Sequence, residues 1–524
     1  MSNLAHSPAW IRFSAECKLA DRDAQHLRIL DAAGLRVDLS AQAWSPRFEQ
    51  AGLTLLAQQG FEAARHDLFE GGLCNWTEGR AAWHTALRAP EPPAAVAAEV
   101  REGRARLRRF VEGVNARNAY RNVVHLGIGG SDWGPRLAVE SLAGHDTRRT
   151  VRFASNIDAH AIDDALAGLD AQDTLVIIAS KSFTTTEPLA NAARVVEWMR
   201  QWGVSDPYRH IVAVTANTAA AEAFGISPDR IFSLWNWVGG RYSVWSAIGI
   251  TIALVLGLDA FDAILAGAAA MDQHFLEAPL TANAPVQMAL AAVANRSVLG
   301  FASQAIAPYD ARLRHFVPWL QQLEMESLGK NAVRSGSPAS VPTGATVWGM
   351  PGTDGQHTFF QWLHQDATGA PVDFLLCKQP DHNLTHHHRL LLANCLAQRS
   401  ALLRGKSYEL ALEEAQGAGG DPEQVAWLAR HRVHPGRRPS TLIVLPRLAP
   451  YSLGALLALY EHKVFTQGVL WDINPFDQWG VEFGKQLANK LAHDLTEPGP
   501  SGVSDLDPST AYWVEALSPS VKSR

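Results

Sequence analysis

Four short β-branched runs, NVVHLGIG from Asn122, TVRFAS from Thr150, TLVIIAS from Thr174 and HIVAVTA from His210, are each followed by a turn and then by helix-patterned sequence. That alternation narrows the fold more than any other feature, because parallel strands need crossovers of a dozen or more residues and helices usually supply them. It predicts a parallel sheet wrapped by helices over residues 116–260. A helical passage over about 261–330 leads to a second set of runs, ATVWGMPG, VDFLLCKQ and STLIVLPRL. These predict a second α/β domain over 261–490, so the expected fold class is α/β with two doubly wound parallel-sheet domains. Residues 1–115, rich in alanine and charge at helical spacing, read as a helical N-terminal segment. Residues 491–524 read as a C-terminal arm, loosely held from Glu497 and carrying one short helix near Tyr512–Leu517.

Several function classes are excluded early. With 46 Lys and Arg against 52 Asp and Glu, the net charge is -6, so no global basic field invites nucleic acid. The four cysteines, Cys17, Cys74, Cys377 and Cys395, form no CxxC pair, which argues against a disulfide framework or zinc ribbon and fits a reducing cytoplasm. The longest apolar run, Ser246–Leu258, is short for a bilayer and reads as a buried helix, and no membrane partner is expected.

Two strand-to-helix turns carry the chemistry of anion binding. In GIGGSDWGP, from Gly127, glycines permit close backbone approach, Gly130 and Ser131 offer an amide and a hydroxyl, and a helix expected from near Gly134 aims its positive end at the turn. The spelling is not that of a dinucleotide site, because Asp132 stands at the sixth position where G-x-G-x-x-G needs glycine, and no Gly-Lys-Ser/Thr closes it as a Walker loop. Taken alone, the motif leaves a plain tight turn open. The second turn, SKSFTTTEP, gathers Ser180, Lys181, Ser182, Thr184, Thr185 and Thr186 ahead of a helix opened by Glu187 and Pro188. Capping accounts for one or two of those hydroxyls, whereas a phosphate monoester uses many donors and a countercharge. Both turns follow strands of one expected sheet, where ligands gather at carboxyl ends.

Three later stretches hold candidate acids and bases. In QQLEMESLGKNA, helical spacing puts Gln322 and Glu326 on one face and Glu324 elsewhere, which makes Glu326 the better-placed base. WGMPGTDGQHTFFQWLHQ sets His357 past a glycine-rich loop at the start of an aromatic helix that also carries His364, and DINPFDQWGVEFGKQLA holds Gln478 and Lys485. Each residue in isolation is as well read as surface or core.

With GGRYSVWSAIG and LGALLALYEHKVFTQG, these stretches run in one order from Asn122 to Leu487, and the chain resembles the glucose-6-phosphate isomerase (phosphoglucose isomerase) family. The resemblance implies two sugar-isomerase (SIS-type) domains, a cytoplasmic aldose-ketose isomerase acting on a sugar phosphate, no metal or organic cofactor, and a homodimer sharing active sites across its interface. It also implies roles for residues. Gly130, Ser131, Ser180, Lys181, Ser182 and Thr185 correspond to the phosphate site, with Gln322 and Gln478 as further substrate-binding residues. Glu326 corresponds to the catalytic base, Arg241 to the cation beside the reacting carbons, and His357 with Lys485 to the ring-opening pair.

Four departures from the family pattern leave every one of those catalytic groups in place: Ser182 for threonine, Leu328 and Asp354 for asparagines, and Met350 for an acidic residue. Two other readings stay open at this stage, a non-catalytic phosphosugar-binding regulator and an isomerase that also accepts mannose 6-phosphate. A regulator needs only the phosphate turns, and Glu326, His357, Lys485 and Arg241 speak against it. The consecutive His386, His387 and His388 cannot all face one point on a helix, so they read as a solvated helix start and not as a metal site.

Overall fold

The computed structural model describes residues 3–144, 147–417, 419–496 and 506–518, and the chain divides into two units, Met1–Pro475 and Phe476–Arg524. In the first unit, the predicted early runs form β3 (Asn122–Gly127), β4 (Thr150–Ala154), β5 (Thr174–Ala179) and β6 (Ile211–Thr215), joined by a short β7 (Ile231–Ser233). They pair in parallel throughout, in the order β4-β3-β5-β6-β7. The strand order reverses between β3 and β5, so the crevice outside their carboxyl ends is the expected ligand position in a doubly wound sheet. Residue pairing puts Gly127, at the end of β3, beside Ala179, at the end of β5. The two turns expected to bind an anion therefore leave the sheet side by side.

The later runs form β9 (Thr346–Gly349), β10 (Val372–Cys377) and β11 (Ser440–Leu445), with β8 (Ser303–Tyr309) between β9 and β10 in the sheet. The N-terminal segment is helical as expected and also supplies a hairpin, β1 (Ile29–Ala32) and β2 (Leu35–Ala41). β2 lies antiparallel against β11, so the second sheet is mixed and its order is β1-β2-β11-β10-β8-β9. The alternation in LRVDLSA, with Leu35, Val37, Leu39 and Ala41 buried, is the signal for that edge.

Helix Pro450–Trp471 is buried along nearly its whole length and crosses helix Leu258–Glu277 at two glycines. A Cβ built on Gly454 would lie 1.9 Å from the Ile264 carbonyl oxygen, and one on Gly267 would lie 1.8 Å from that of Tyr451. Backbone meets backbone there, and no side chain can yield to make room. The buried run within Ser246–Leu258 is helical over Ile250–Leu256, as its apolar pattern implies.

In Phe476–Arg524, a turn at Trp479–Val481 leads into helix Glu482–Thr496, and Asp507 accepts the amides of Ser509 and Thr510, at 3.1 Å each, to open helix Pro508–Leu517. The short helix expected at Tyr512–Leu517 is thus about a turn longer, and residues 497–505 of the expected arm lie outside the described residues.

The helix crossing gives a direct test. Gly454→Ala should cost about 1–3 kcal/mol through overpacking, seen as a lowered urea midpoint. Gly113→Ala, on an open face of helix Ala94–Ala116 where the nearest atom is 3.4 Å away, should instead gain roughly 0.5–1 kcal/mol.

Candidate active site

Helix Gly130–Leu142 begins at Gly130, four residues earlier than the spacing suggested, because Gly129 takes a left-handed φ of 57° and delivers the chain into the helix at once. No side chain caps its first turn. Its start is pinned from beneath by His125, whose ring nitrogens contact the Ser131 carbonyl and the Thr251 hydroxyl at 2.7 Å each. The Ser131 hydroxyl makes no hydrogen bond among the described residues and remains available to a ligand.

Gly130 also admits the chain that carries Arg241. A Cβ at Gly130 would sit 2.1 Å from the Gly240 carbonyl oxygen, and one at Gly129 would meet the Gln322 amide nitrogen at 2.8 Å. The 127–131 turn therefore meets the 239–242 turn backbone to backbone at Gly130, and meets the side-chain amide of Gln322 at Gly129. Gln322–Glu326 is a π-helical stretch continuing helix Phe316–Gln321. Such bulges recur at functional sites because they turn side chains off the regular helical face.

Glu326 lies between two donors, with Arg241 Nη1 at 3.1 Å and Gln322 Nε2 at 3.2 Å from its Oε2. Arg241 is itself held on its other edges: Nε donates to Ser327 Oγ at 2.6 Å and Nη2 to the Pro475 carbonyl at 2.7 Å. Tyr242 OH stands 3.2 Å from the same Ser327 hydroxyl. Arg241 is buried whereas the Glu326 side chain is partly open, so a fixed cation underlies a reachable carboxylate. Glu324 does point elsewhere, into the core, where it accepts Lys463 Nζ at 2.6 Å.

At the second turn, helix Thr186–Gln201 starts as expected, but its N-cap Thr185 makes no capping bond and instead receives Ser180 Oγ at 3.3 Å. Thr184 Oγ1 donates to Ser182 Oγ at 2.8 Å. Lys181 Nζ donates to the carbonyls of Asn236 and Val238 at 2.9 and 2.8 Å, which leaves one ammonium proton for a ligand. Burial, reinforced by the nearby Arg80 cation, pulls the Lys181 pKa down to about 8.

The remaining candidates belong to other segments of the chain. His357 is exposed in the turn between short helices Gly352–Gln356 and Phe360–Gln365, not within an aromatic helix, and no bond joins it to Glu326 among the described residues. The chain reaches that turn by hugging β8, since Cβ atoms at Gly349 and Gly352 would collide with the Ile306 carbonyl and the Tyr309 ring. Gln478 and Lys485 belong to the second unit, where Lys485, exposed, pairs with Glu482 at 3.0 Å. Leu328 is fully buried, an environment that suits its departure from asparagine. Asp354 keeps its side chain in solvent while its carbonyl accepts the His357 amide at 3.1 Å. Of the three histidines near 387, two are exposed as read, but His388 is buried and its Nε2 lies 3.1 Å from the Lys378 carbonyl. Ser327, Tyr242 and Lys463 were missed by the sequence reading. Their types are common, and only their positions beside Arg241 and Glu326 in the chain, or on a largely apolar helix, marked them.

Comparison with known proteins shows the family. Residues 38–514 match the family model described as phosphoglucose isomerase. The chain is 64% identical over 516 residues to a glucose-6-phosphate isomerase of Bordetella avium (strain 197N), covering 98% of this chain and 99% of the relative. It is 43% identical over 498 residues to one of Burkholderia orbicola (strain MC0-3), covering 92% and 90%. A crystal structure of a glucose-6-phosphate isomerase from Chlamydia trachomatis superposes with a TM-score of 0.85 at 29% identity, covering 98% of this chain and 99% of that one.

Lys181 gives the site a measurable pH signature. A lysine at its ordinary value would stay charged to beyond pH 10, but this one loses its proton as pH rises through about 8. Inorganic phosphate affinity, followed by calorimetry from pH 7.5 to 9.5, should therefore weaken across that window, and Lys181→Met should bind weakly with the slope flattened.

Proposed function

The chain belongs to the phosphoglucose isomerase family, and we propose from its site that it interconverts D-glucose 6-phosphate and D-fructose 6-phosphate through an enediolate held beside Glu326. The observation that carries this reading is the carboxylate of Glu326 fixed between the Arg241 guanidinium and the Gln322 amide, next to two turns built for a phosphate.

The phosphate binds first as an anchor. Gly130 and Ser131 at the helix start, with Ser180, Lys181, Ser182 and Thr185 from the neighbouring turn, supply hydroxyls, an amide and one cation. Holding the far end of the sugar makes the reaction at C1 and C2 effectively intramolecular. His357 and Lys485 then open the ring, one group giving a proton to the ring oxygen while the other accepts one from the C1 hydroxyl. Gln322 and Gln478 orient the open chain.

Glu326 takes the proton from C2 of the aldose, and the electron pair moves to form a cis-enediolate. The same carboxyl then returns a proton to C1 while the O2 proton passes to O1, which gives the ketose. Arg241 lowers the energy of this step because its charge is fixed before the reaction, in a buried setting where reorganisation costs little. Its three hydrogen-bonded edges prevent it from following the carboxylate.

One observation supports a homodimer with shared sites. His357 is exposed, and its imidazole makes no hydrogen bond within this chain among the described residues, as suits a group completing a site on a partner copy. The four cysteines are free and buried, in keeping with a cytoplasmic setting. No helix among the described residues is long and apolar enough to cross a membrane.

Purified protein should turn fructose 6-phosphate into glucose 6-phosphate in a coupled assay. Glu326→Gln should lower kcat by roughly 10²–10⁴-fold while leaving calorimetric binding of the sugar phosphate nearly intact; unchanged turnover would remove Glu326 as the base. Gly130→Ala, which drives the Arg241 turn away from the phosphate turn, should lower kcat/KM by about 10²-fold and, as a backbone clash of the same kind as at Gly454, cost about 1–3 kcal/mol of stability.

A further inference from the structure

Helices Ala94–Ala116 and Leu258–Glu277 diverge over a cavity of about 730 Å³, well within the range of small-molecule sites. Its walls are apolar and aromatic: Val100, Leu107, Phe232, Trp235, Phe261 and Leu265. Three arginines reach it without being available. Arg88 is saturated by Asp272, at 2.7 and 2.8 Å, and by Glu461. Arg108 pairs with Asp262 at 2.6 Å. Arg106 lies over the Phe232 ring and donates to the Pro228 carbonyl.

Arg104 is different. One guanidinium nitrogen, Nη2, reaches the carbonyls of Leu87 and Ala89 at 2.5 and 3.3 Å, and no carboxylate pairs with the group. Its Nε is buried and has no partner among the described residues. A buried donor left over in this way is costly and is normally satisfied. We propose that this cavity is a binding site for an apolar monocarboxylate, a flat aromatic or short acyl body against Trp235 and Phe261 with its carboxylate on Arg104. Charge favours a single negative charge over a phosphate, since Glu99 and Glu102 also border the cavity.

The cavity shares a wall with the phosphate turn. Trp235 stacks on Trp237 at 5.2 Å, and the loop between them and Val238 presents the Asn236 and Val238 carbonyls that hold Lys181. An occupant pressing on Trp235 acts on the anchors of the phosphate lysine, so the ligand modulates sugar-phosphate affinity and leaves the proton-transfer step alone. This coupling goes beyond the isomerase reading and is tested by direct binding, which needs no turnover.

The test is calorimetric titration of the full-length protein with 2-naphthoate in saturating inorganic phosphate, so that the catalytic turns are filled. Saturable binding is expected, and the neutral 2-naphthamide should bind roughly tenfold to a hundredfold more weakly, as loss of a charged hydrogen bond implies. Arg104→Met should weaken 2-naphthoate to the same degree. Ala266→Phe fills the cavity from an exposed helix position and should abolish binding even if the arginine variant fails to fold. Saturating 2-naphthoate should also shift the KM for fructose 6-phosphate by about fivefold with kcat little changed, and this shift should vanish in Ala266→Phe. Absence of saturable binding, binding indifferent to Ala266→Phe, or saturation without a KM shift would overturn the proposal.

Discussion

Four consecutive polar residues, Tyr460, Glu461, His462 and Lys463, lie in the middle of a helix buried on every side. Successive helical residues point about 100° apart, so the four side chains leave in four directions and each meets a different element. Tyr460 donates to Asp373 on β10 at 2.9 Å, Glu461 accepts the Trp245 indole at 2.9 Å together with Arg88, His462 lies 2.6 Å from Asp272, and Lys463 reaches Glu324 at 2.6 Å. Buried charges are tolerated only when paired, and removing one partner of such a pair costs about 3–5 kcal/mol. Polar pairing thus fixes the rotation of this helix and, through Glu324, the register of the π-helical segment that presents Gln322 and Glu326. The glycine crossing at Gly267 and Gly454 sets its depth.

Fixed geometry separates the two tasks of the site. In the proposed reaction, substrate anchoring falls to turns at the carboxyl ends of β3 and β5, and proton transfer to a carboxylate on a segment up to some two hundred residues later. What joins them is the absence of side chains at Gly129 and Gly130, which lets the turn approach the Gln322 amide and the backbone that carries Arg241. Both of those groups hold the Glu326 carboxylate, so the turn and the base are connected through two donors.

Much of this was legible in the sequence. Seven strands were read from their β-branched runs, and both anion turns from glycines and hydroxyls in excess of what capping uses. The i, i+4 spacing paired Gln322 with Glu326, and their amide and carboxylate do meet. The missed strands have physical explanations. β7 has three residues, too few for a period to show, and β8 ends in Pro308 and Tyr309, with a proline that counts against a strand. The β1–β2 hairpin lies within alanine-rich helical sequence, and its partner β11 is some four hundred residues away. Long-range pairing of that kind leaves no local mark. His388 turned inward because its carbonyl partner belongs to another loop, a fact no helical wheel contains.

The guanidinium of Arg241 spends one edge on the carbonyl of Pro475, four residues past the end of the central helix. Its position therefore depends on chain made more than two hundred residues after it. During synthesis, the turns that follow β3 and β5 precede this support in the chain. A chain made only as far as the central helix would lack the Pro475 anchor, and the guanidinium would be freer to turn beside Glu326.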